Sequence, residues 1–305
     1  MKTTEKSSTA SAAKHAEAAV VYKKRSQFGS ICKRFCRNKT AMAGLIVFLL
    51  ILILSCSAGL FFDYETDALK ITVSDRFIPP GAEHWFGTDN YGRDIFARIV
   101  FGGRISLLIS LVVILISSVL GAIFGSLAAY YGGWVDNLIM RVNDVFFAIP
   151  FTLLAVCIVA SLGNGVQNVC LACTVAVLPG FIRLFRSNVM PIMNQEYVEA
   201  ARSYGTKDAR ILYRHILPNA LGPIIVQATL NLAGTIIAVA GLSFIGLGVQ
   251  SPTPEWGSML NEAREYMRDH VYMILIPGLT IMISSLSLNL VGDGLRDALD
   301  PKLKN

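Results

Sequence analysis

A chain of 305 residues that is 53% hydrophobic and only 16% charged, with a mean hydropathy of +0.54, lies far from a soluble domain, which carries charge on roughly a quarter of its residues. The net charge of +6 does not read as nucleic-acid binding, because the basic residues sit beside apolar runs without an aromatic-interleaved groove. Residues 41–62, 105–135, 145–182, 215–254 and 271–292 contain no Asp, Glu, Lys or Arg. A helix of about 20 apolar residues crosses the hydrocarbon core, so the chain reads as an all-α integral membrane protein embedded in a lipid bilayer.

Residues 1–40 form a polar lead, too long for a cleavable signal, and residues 3–19, rich in Ser, Thr, Ala and Lys, are expected to be disordered. The first crossing covers 41–62. An outer loop, 63–104, carries Gly87-Thr-Asp-Asn-Tyr-Gly-Arg-Asp94. Its Asp89, Asn90 and Asp94 lack the spacing and terminal Glu of an EF-hand. The reading is a turn held by Asp/Asn side chains and an Arg93 or Arg98 ion pair, with partner contact through Asp89, Arg93 and Asp94 as the functional alternative. The second crossing, 105–130, contains Gly121-Ala-Ile-Phe-Gly125, a small-xxx-small pair that packs either within the subunit or at an interface. The run 145–182 is close to two crossings long and breaks at Gly163-Asn164-Gly165, giving crossings 143–162 and 167–185. Near the start of the first of these, Arg141 and Asp144 are spaced to pair. Pro252 and Pro254 follow a fifth crossing at 221–247, and Trp256 with Glu255 is expected at the outer rim, as an interfacial aromatic or a partner contact. The sixth crossing, 271–291, leads into a tail, 292–305, with a short capped helix from residue 293.

Lys and Arg counts orient these segments. With the N-terminus inside, segments 1–40, 131–144, 183–219 and 292–305 hold 10, 1, 6 and 3 basic residues, or 20 of the 27. Both termini are therefore expected in the cytoplasm. Cys56, Cys157, Cys170 and Cys173 lie in apolar spans as small packing residues, and Cys32 and Cys36 lie in a Lys/Arg-rich cytosolic segment; no metal or disulfide framework is read from them. No nucleophile–base constellation and no Gly-x-x-x-x-Gly-Lys-Ser/Thr phosphate loop is present, so the chain reads as neither an enzyme nor an ATPase, and no cofactor is assigned to it. No acid or base lies deep in a span, which argues against a secondary carrier that moves its own coupling ion.

The longest inner segment between crossings, 186–219, looks like two short helices with a glycine break. Tyr197, Ala200 and Ala201 would form one side of the first, and Ile211, Leu212 and Ile216 give the second an apolar stripe. Gly205 fits a residue past a helix end that needs positive φ. Asp208 fits the first turn of the next helix, and Pro218 would end it. The apolar side needs burial, and a second cytoplasmic protein is a natural candidate.

Glu199-Ala200-Ala201, Gly205 and Leu217-Pro218 resemble the EAA loop of permease subunits of binding-protein-dependent ABC importers. His215 stands where that pattern usually has an aliphatic residue. His84-Trp-Phe-Gly-Thr-Asp-Asn-Tyr-Gly-Arg-Asp94, Gly102-Gly-Arg-Ile-Ser106, Gly241-Leu-Ser-Phe-Ile-Gly-Leu-Gly248, Pro252-Thr-Pro-Glu-Trp-Gly257 and Gly292-Asp-Gly-Leu-Arg-Asp-Ala-Leu-Asp-Pro301 resemble the second, C-type, permease of dipeptide, oligopeptide and nickel importers. The resemblance implies a type I importer permease fold of six helices in the bacterial cytoplasmic membrane. It implies a second homologous permease, two cytoplasmic ATPases carrying MgATP and an extracytoplasmic substrate-binding protein. Glu199, Ala200, Ala201 and Gly205 would hold the bend of the loop. Thr206, Lys207, Asp208, Ala209, Arg210 and Leu212 would lie on the helix that docks into an ATPase. The implied cargo is a short peptide, with nickel or a nickel chelate as the alternative.

Overall fold

The computed structural model describes residues 27–299, and the expectation for residues 3–19 and the end of the tail at 300–305 lie outside that range. Helices α1 (Gln27–Arg37), α2 (Lys39–Phe61), α3 (Ile95–Tyr131), α4 (Gly133–Phe147), α5 (Phe151–Leu162) and α6 (Val166–Met193) are followed by short α7 (Glu196–Ser203) and α8 (Asp208–Ile211). A wider turn, Leu212–Ile216, then leads into α9 (Leu217–Phe244), and α10 (Trp256–Ala263) and α11 (Tyr272–Leu299) complete the chain. Helix suits a chain in hydrocarbon, because it satisfies backbone N–H and C=O groups within the segment.

Five stretches are long and apolar enough to cross a bilayer: α2, α3, α6, the continuous run Asp208–Phe244, and α11. The third expected crossing, 143–162, is not one straight helix. It is the pair α4 and α5, bent by 84°. Pro150 has no N–H to continue the ladder and disfavours helix at Ile149, so the run breaks at Ala148-Ile149-Pro150. Counting the bent pair as one gives the six expected crossings.

Several ends move. The second helix starts at Ile95, ten residues before the expected crossing, because the Asp94 carboxylate accepts from Ala97 N at 2.8 Å and caps it. The loop taken as 63–104 therefore stops at residue 94. The fourth helix runs on to Met193. Pro218 opens the fifth helix instead of ending the loop, a position where its missing N–H costs nothing. The separate tail helix from residue 293 is the unbroken end of α11. At Arg98 and Arg104, at Arg183 and Arg186 and at Asp293 a charge ends the apolar run without ending the helix.

The core is built around α3 and α6, the most extensive helix pair. A Cβ added at Gly121 would stand 2.6 Å from Phe181 Cβ, and one at Gly125 would stand 2.5 Å from the Ile182 carbonyl oxygen. The small-xxx-small pair thus packs inside the subunit. At one end of the bundle Phe35 of α1 packs on Ala41, Val291 and Ala298, and Asn38 caps α2 while donating to Asp297 at 3.3 Å. Leu299 lies beside Gly222, so α1, the end of α11 and the start of α9 share that end. At the other end Asn164 of the α5–α6 turn donates to the Gly246 carbonyl at 3.4 Å. These contacts gather α1, the end of α11 and the start of α9 at one end of the bundle, and the α5–α6 turn with Gly246 at the other.

Gly125→Leu should lower stability by at least ~1–3 kcal/mol, the usual cost of overpacking, because it must push α3 away from backbone as well as side chain. A melting curve of the detergent-solubilised protein by size-exclusion fluorescence checks this; an unchanged midpoint would contradict the packing.

Candidate functional site

The loop after α6 is built as a braced bracket. α7 ends in a Schellman motif: Gly205 has φ +70, Gly205 N donates to the Arg202 carbonyl at 2.9 Å, and Thr206 N donates to the Ala201 carbonyl at 3.2 Å. Glycine takes that φ most readily, so the break expected at Gly205 is where the chain reverses. Asp208 stands in the first turn of α8 as expected, and its carboxylate accepts from the Tyr130 hydroxyl at 2.6 Å. That bond ties the loop to the end of α3. The Arg202 guanidinium lies 5.0 Å over the Tyr130 ring on the same side.

The apolar stripe of the loop does not wait for a partner. Ile211 and Ile216 are fully buried with Val198, against Phe185 and Val189 of α6 and Ala220 and Ile224 of α9, and Leu212 packs on the same cluster. Nor do Tyr197, Ala200 and Ala201 form the buried side of α7. Val198 does, Ala201 is half-buried, and Tyr197 and Ala200 are exposed with Glu199. With its apolar side used up internally, the loop presents a different surface: Tyr204 at 89% exposed, Tyr213 at 62%, and exposed Lys207, Ala209 and Arg210. Two exposed tyrosines beside two cations are anchors of the kind that dominate protein interfaces. The sequence pattern passed over both tyrosines.

Further along the bundle, Arg186 makes a two-pronged ion pair with Asp136, both bonds 2.6 Å, and Arg183 meets Asp144 at 2.7 Å. The partner expected for Asp144, Arg141, makes no ion pair among the described residues. The observed pairs instead clamp α4 to α6.

The opposite end is closed by a cap made from residues 62–94 and 249–271. The expected Asp89–Arg93 turn is there. Asp89 Oδ1 accepts from Tyr91 N and Arg93 N, and Asp89 Oδ2 accepts from Arg93 Nε at 2.7 Å and from Arg98 Nη1. Glu262 of α10 completes the cluster, accepting from Arg93 at 2.6 Å and from Arg98 at 2.8 Å. Arg93 and Arg98 are 2% and 1% exposed, so this is a buried quartet and offers no surface for partner contact. Burial pulls the Arg93 guanidinium below its ordinary value, the charge of Arg98 adds to that, and the two carboxylates oppose it. Asp94 caps α3 and pairs with His84 at 2.8 Å. Trp256 is 0% exposed, not at a rim; its Nε1 donates to the Ile99 carbonyl at 2.9 Å. Glu255 beside it is also buried, accepting from Ser106 Oγ at 3.0 Å and from Ser258 N at 2.8 Å. The glycine pair Gly102–Gly103 lets this corner lie directly on α3. Burial pushes the Glu255 carboxyl up, against these hydrogen bonds.

The family described as binding-protein-dependent transport system inner membrane component matches residues 118–305, and the N-terminal TM domain of oligopeptide transport permease C matches 26–80. The dipeptide transport system permease protein DppC of Alkalihalophilus pseudofirmus is 44% identical over 273 residues, 90% of this chain and 89% of that one. The glutathione transport system permease protein GsiD of Pectobacterium atrosepticum is 44% identical over 274 residues, 90% of each. Among solved structures, the inward-facing MetNI methionine ABC transporter aligns with TM-score 0.55 at 20% identity, over 67% of this chain and 96% of that chain, a likeness of fold.

Glu262→Ala leaves two buried guanidiniums facing one carboxylate. It should cost ~3–5 kcal/mol, read as a lower melting point and as new protease cleavage within residues 62–94. Glu255 gives the cap a pH dependence. Its raised value means that the folded state holds the proton more tightly, so stability falls as pH rises from the ordinary carboxylate range through the raised value. Glu255→Gln should flatten the melting point across that window, and an unchanged slope would contradict the assignment.

Proposed function

This chain belongs to the family of binding-protein-dependent transport system inner membrane components, and on that premise we propose that it is one half of the pore of an ATP-driven importer of di- and oligopeptides. The other half is a second, homologous permease. Two cytoplasmic ATPases supply MgATP hydrolysis, and an extracytoplasmic binding protein delivers the peptide. The loop 196–216 faces the cytoplasm with both termini, as the Lys/Arg count requires, and docks on an ATPase.

The observation that carries this reading is the braced loop. Its apolar side is consumed by α6 and α9, its bend is locked at Gly205, and its outward side offers Tyr204, Tyr213, Lys207 and Arg210. A loop so fixed acts as a lever. Helix continues from Asp208 through the turn at Leu212–Ile216 into Phe244, so a push delivered at α8 by closing ATPases is passed along α9, and through Phe185 and Val189 to α6. A flexible tether would absorb it. Glu199, Ala200 and Ala201 serve this lever as the helix leading into the bend; Thr206, Lys207, Ala209 and Arg210 give it contact surface, while Asp208 and Leu212 fasten it inward. The relatives are named for dipeptide and glutathione transport, which favours peptides over nickel. An autonomous carrier would have no use for the loop.

A β-branched residue at φ +70 is strained by roughly 1–2 kcal/mol or more, whereas Asn tolerates that region. No neighbour lies within 4 Å of the Cβ position at Gly205, so strain is the only penalty. Gly205→Val should insert in the membrane but lose most ATPase co-purification, and Gly205→Asn should retain it. Full association and transport by Gly205→Val would sink the coupling assignment. In proteoliposomes, the binding protein loaded with a dipeptide should stimulate ATP hydrolysis by the complex; stimulation by nickel alone would reverse the choice of cargo.

A further inference from the structure

The long helices expose two kinds of face. α2 presents Ile46, Leu50 and Ile53, and α11 presents Leu275, Leu279 and Met282, side chains that suit lipid tails. One face of α9 is of the same kind, with Leu221 and Ile225. A second face of α9 is not. Along it Pro223, Gln227, Asn231, Gly234 and Ala238 follow one another at helical spacing, all exposed or half-exposed. Gln227 Nε2 donates to Asn231 Oδ1 at 3.2 Å. Whichever way the two amides are turned, a bond between them leaves one carbonyl oxygen and one NH₂ without a protein partner among the described residues. An unmatched donor and acceptor at mid-helix are costly against hydrocarbon, so this face is not built for lipid.

Two cavities lie along that face. One, of about 620 Å³, is walled by Leu184, Asn219, Gln227 and Arg296. The other, of about 190 Å³, is walled by Phe151, Val177, Asn231 and Gly234. Leu230 borders both, so the two cavities adjoin along one face of α9, from its loop end to its middle, and together make up the groove. A Cβ at Gly234 would meet nothing within 4 Å, which marks the groove as open at that level.

We propose that this groove is the chain's share of the translocation path, and that Gln227 and Asn231 bind the backbone of the passing peptide. Their free carbonyl accepts a peptide N–H and their free NH₂ donates to a peptide C=O, the two groups that every peptide bond offers side by side. Recognition of the backbone alone lets peptides of many sequences pass. The inference rests on the peptide-permease reading and adds to it the surface and the residues that touch cargo.

The test uses the assembled importer, with ATPases and binding protein, in a background lacking the six native cysteines. Gly234→Cys, on the groove, and Leu50→Cys, on the lipid-type face of α2, are exposed to a charged, water-soluble thiosulfonate. Gly234→Cys should react at least about tenfold faster, since a thiol in hydrocarbon does not ionise readily. Equal or slower reaction means that lipid or a partner helix covers the face, and overturns the proposal. In parallel, Gln227→Leu combined with Asn231→Leu should reduce tripeptide uptake by about tenfold, the loss of one or two neutral hydrogen bonds, while binding-protein-stimulated ATP hydrolysis persists. Unchanged uptake overturns the proposal. If the unmutated complex shows no peptide-stimulated hydrolysis, the premise itself fails, and with it this inference.

Discussion

In hydrocarbon a backbone N–H or C=O has no water to turn to, and every departure from continuous helix needs a local partner. This constraint orders the whole molecule. The long helices are uninterrupted apart from the bend at Pro150, and each irregular stretch is gathered at one of the two ends. There, side chains complete what the backbone leaves open: Asn38 caps α2, Asp94 caps α3 and Glu255 caps α10. Charges obey the same rule. Asp136 and Asp144 meet Arg186 and Arg183, and the buried Arg93 and Arg98 meet Asp89 and Glu262. A charge near the membrane is tolerated when paired.

The two ends solve different mechanical problems. The cap fastens the segment before α3 to α10 through a charge cluster whose partners are 164 and 169 residues apart. Trp256 and Glu255 rest directly on α3 at Gly102 and Gly103. At the other end, the loop is seated on α6 and α9 by aliphatic side chains and on α3 by one hydrogen bond, and what it shows outward is aromatic and basic. Between the ends runs α9, carrying the loop at its start, lipid-type residues on one side and an amide-bearing groove on another. One helix therefore links the surface proposed to dock an ATPase to the face proposed to meet cargo.

Much of this was legible in the sequence, for physical reasons. The uncharged runs state that the chain spans a bilayer, and turn residues at 163–165 divide one run in two. Gly205 announces a positive φ, and the Asp89–Arg93 turn is local enough to read at four residues' spacing. The misreadings share a cause. Trp256 looked like a rim residue because amphipathic aromatics favour interfaces, yet a backbone carbonyl at Ile99 takes its N–H in the interior. The Ile211–Ile216 stripe was visible, but a stripe says only that something will be buried, not against what. Glu262 carries no local signal, since both its partners come from another part of the chain.

The sequence by itself determined the apolar runs long enough to cross, the break at residues 163–165, the Lys/Arg bias between its two groups of connections, and the motif that marks the loop. Those features depend on spacing, charge and backbone stereochemistry within a few residues. Only the tertiary structure decided that Gly121 and Gly125 on α3 face α6, that the apolar side of the loop is spent internally, that four charges separated by up to 173 residues close into one cluster, and that Gln227 and Asn231 border adjoining cavities. These are matters of which helix face meets which. Side-chain periodicity fixes a face relative to its own helix, whereas its orientation towards the rest of the molecule is set by the simultaneous packing of all the helices.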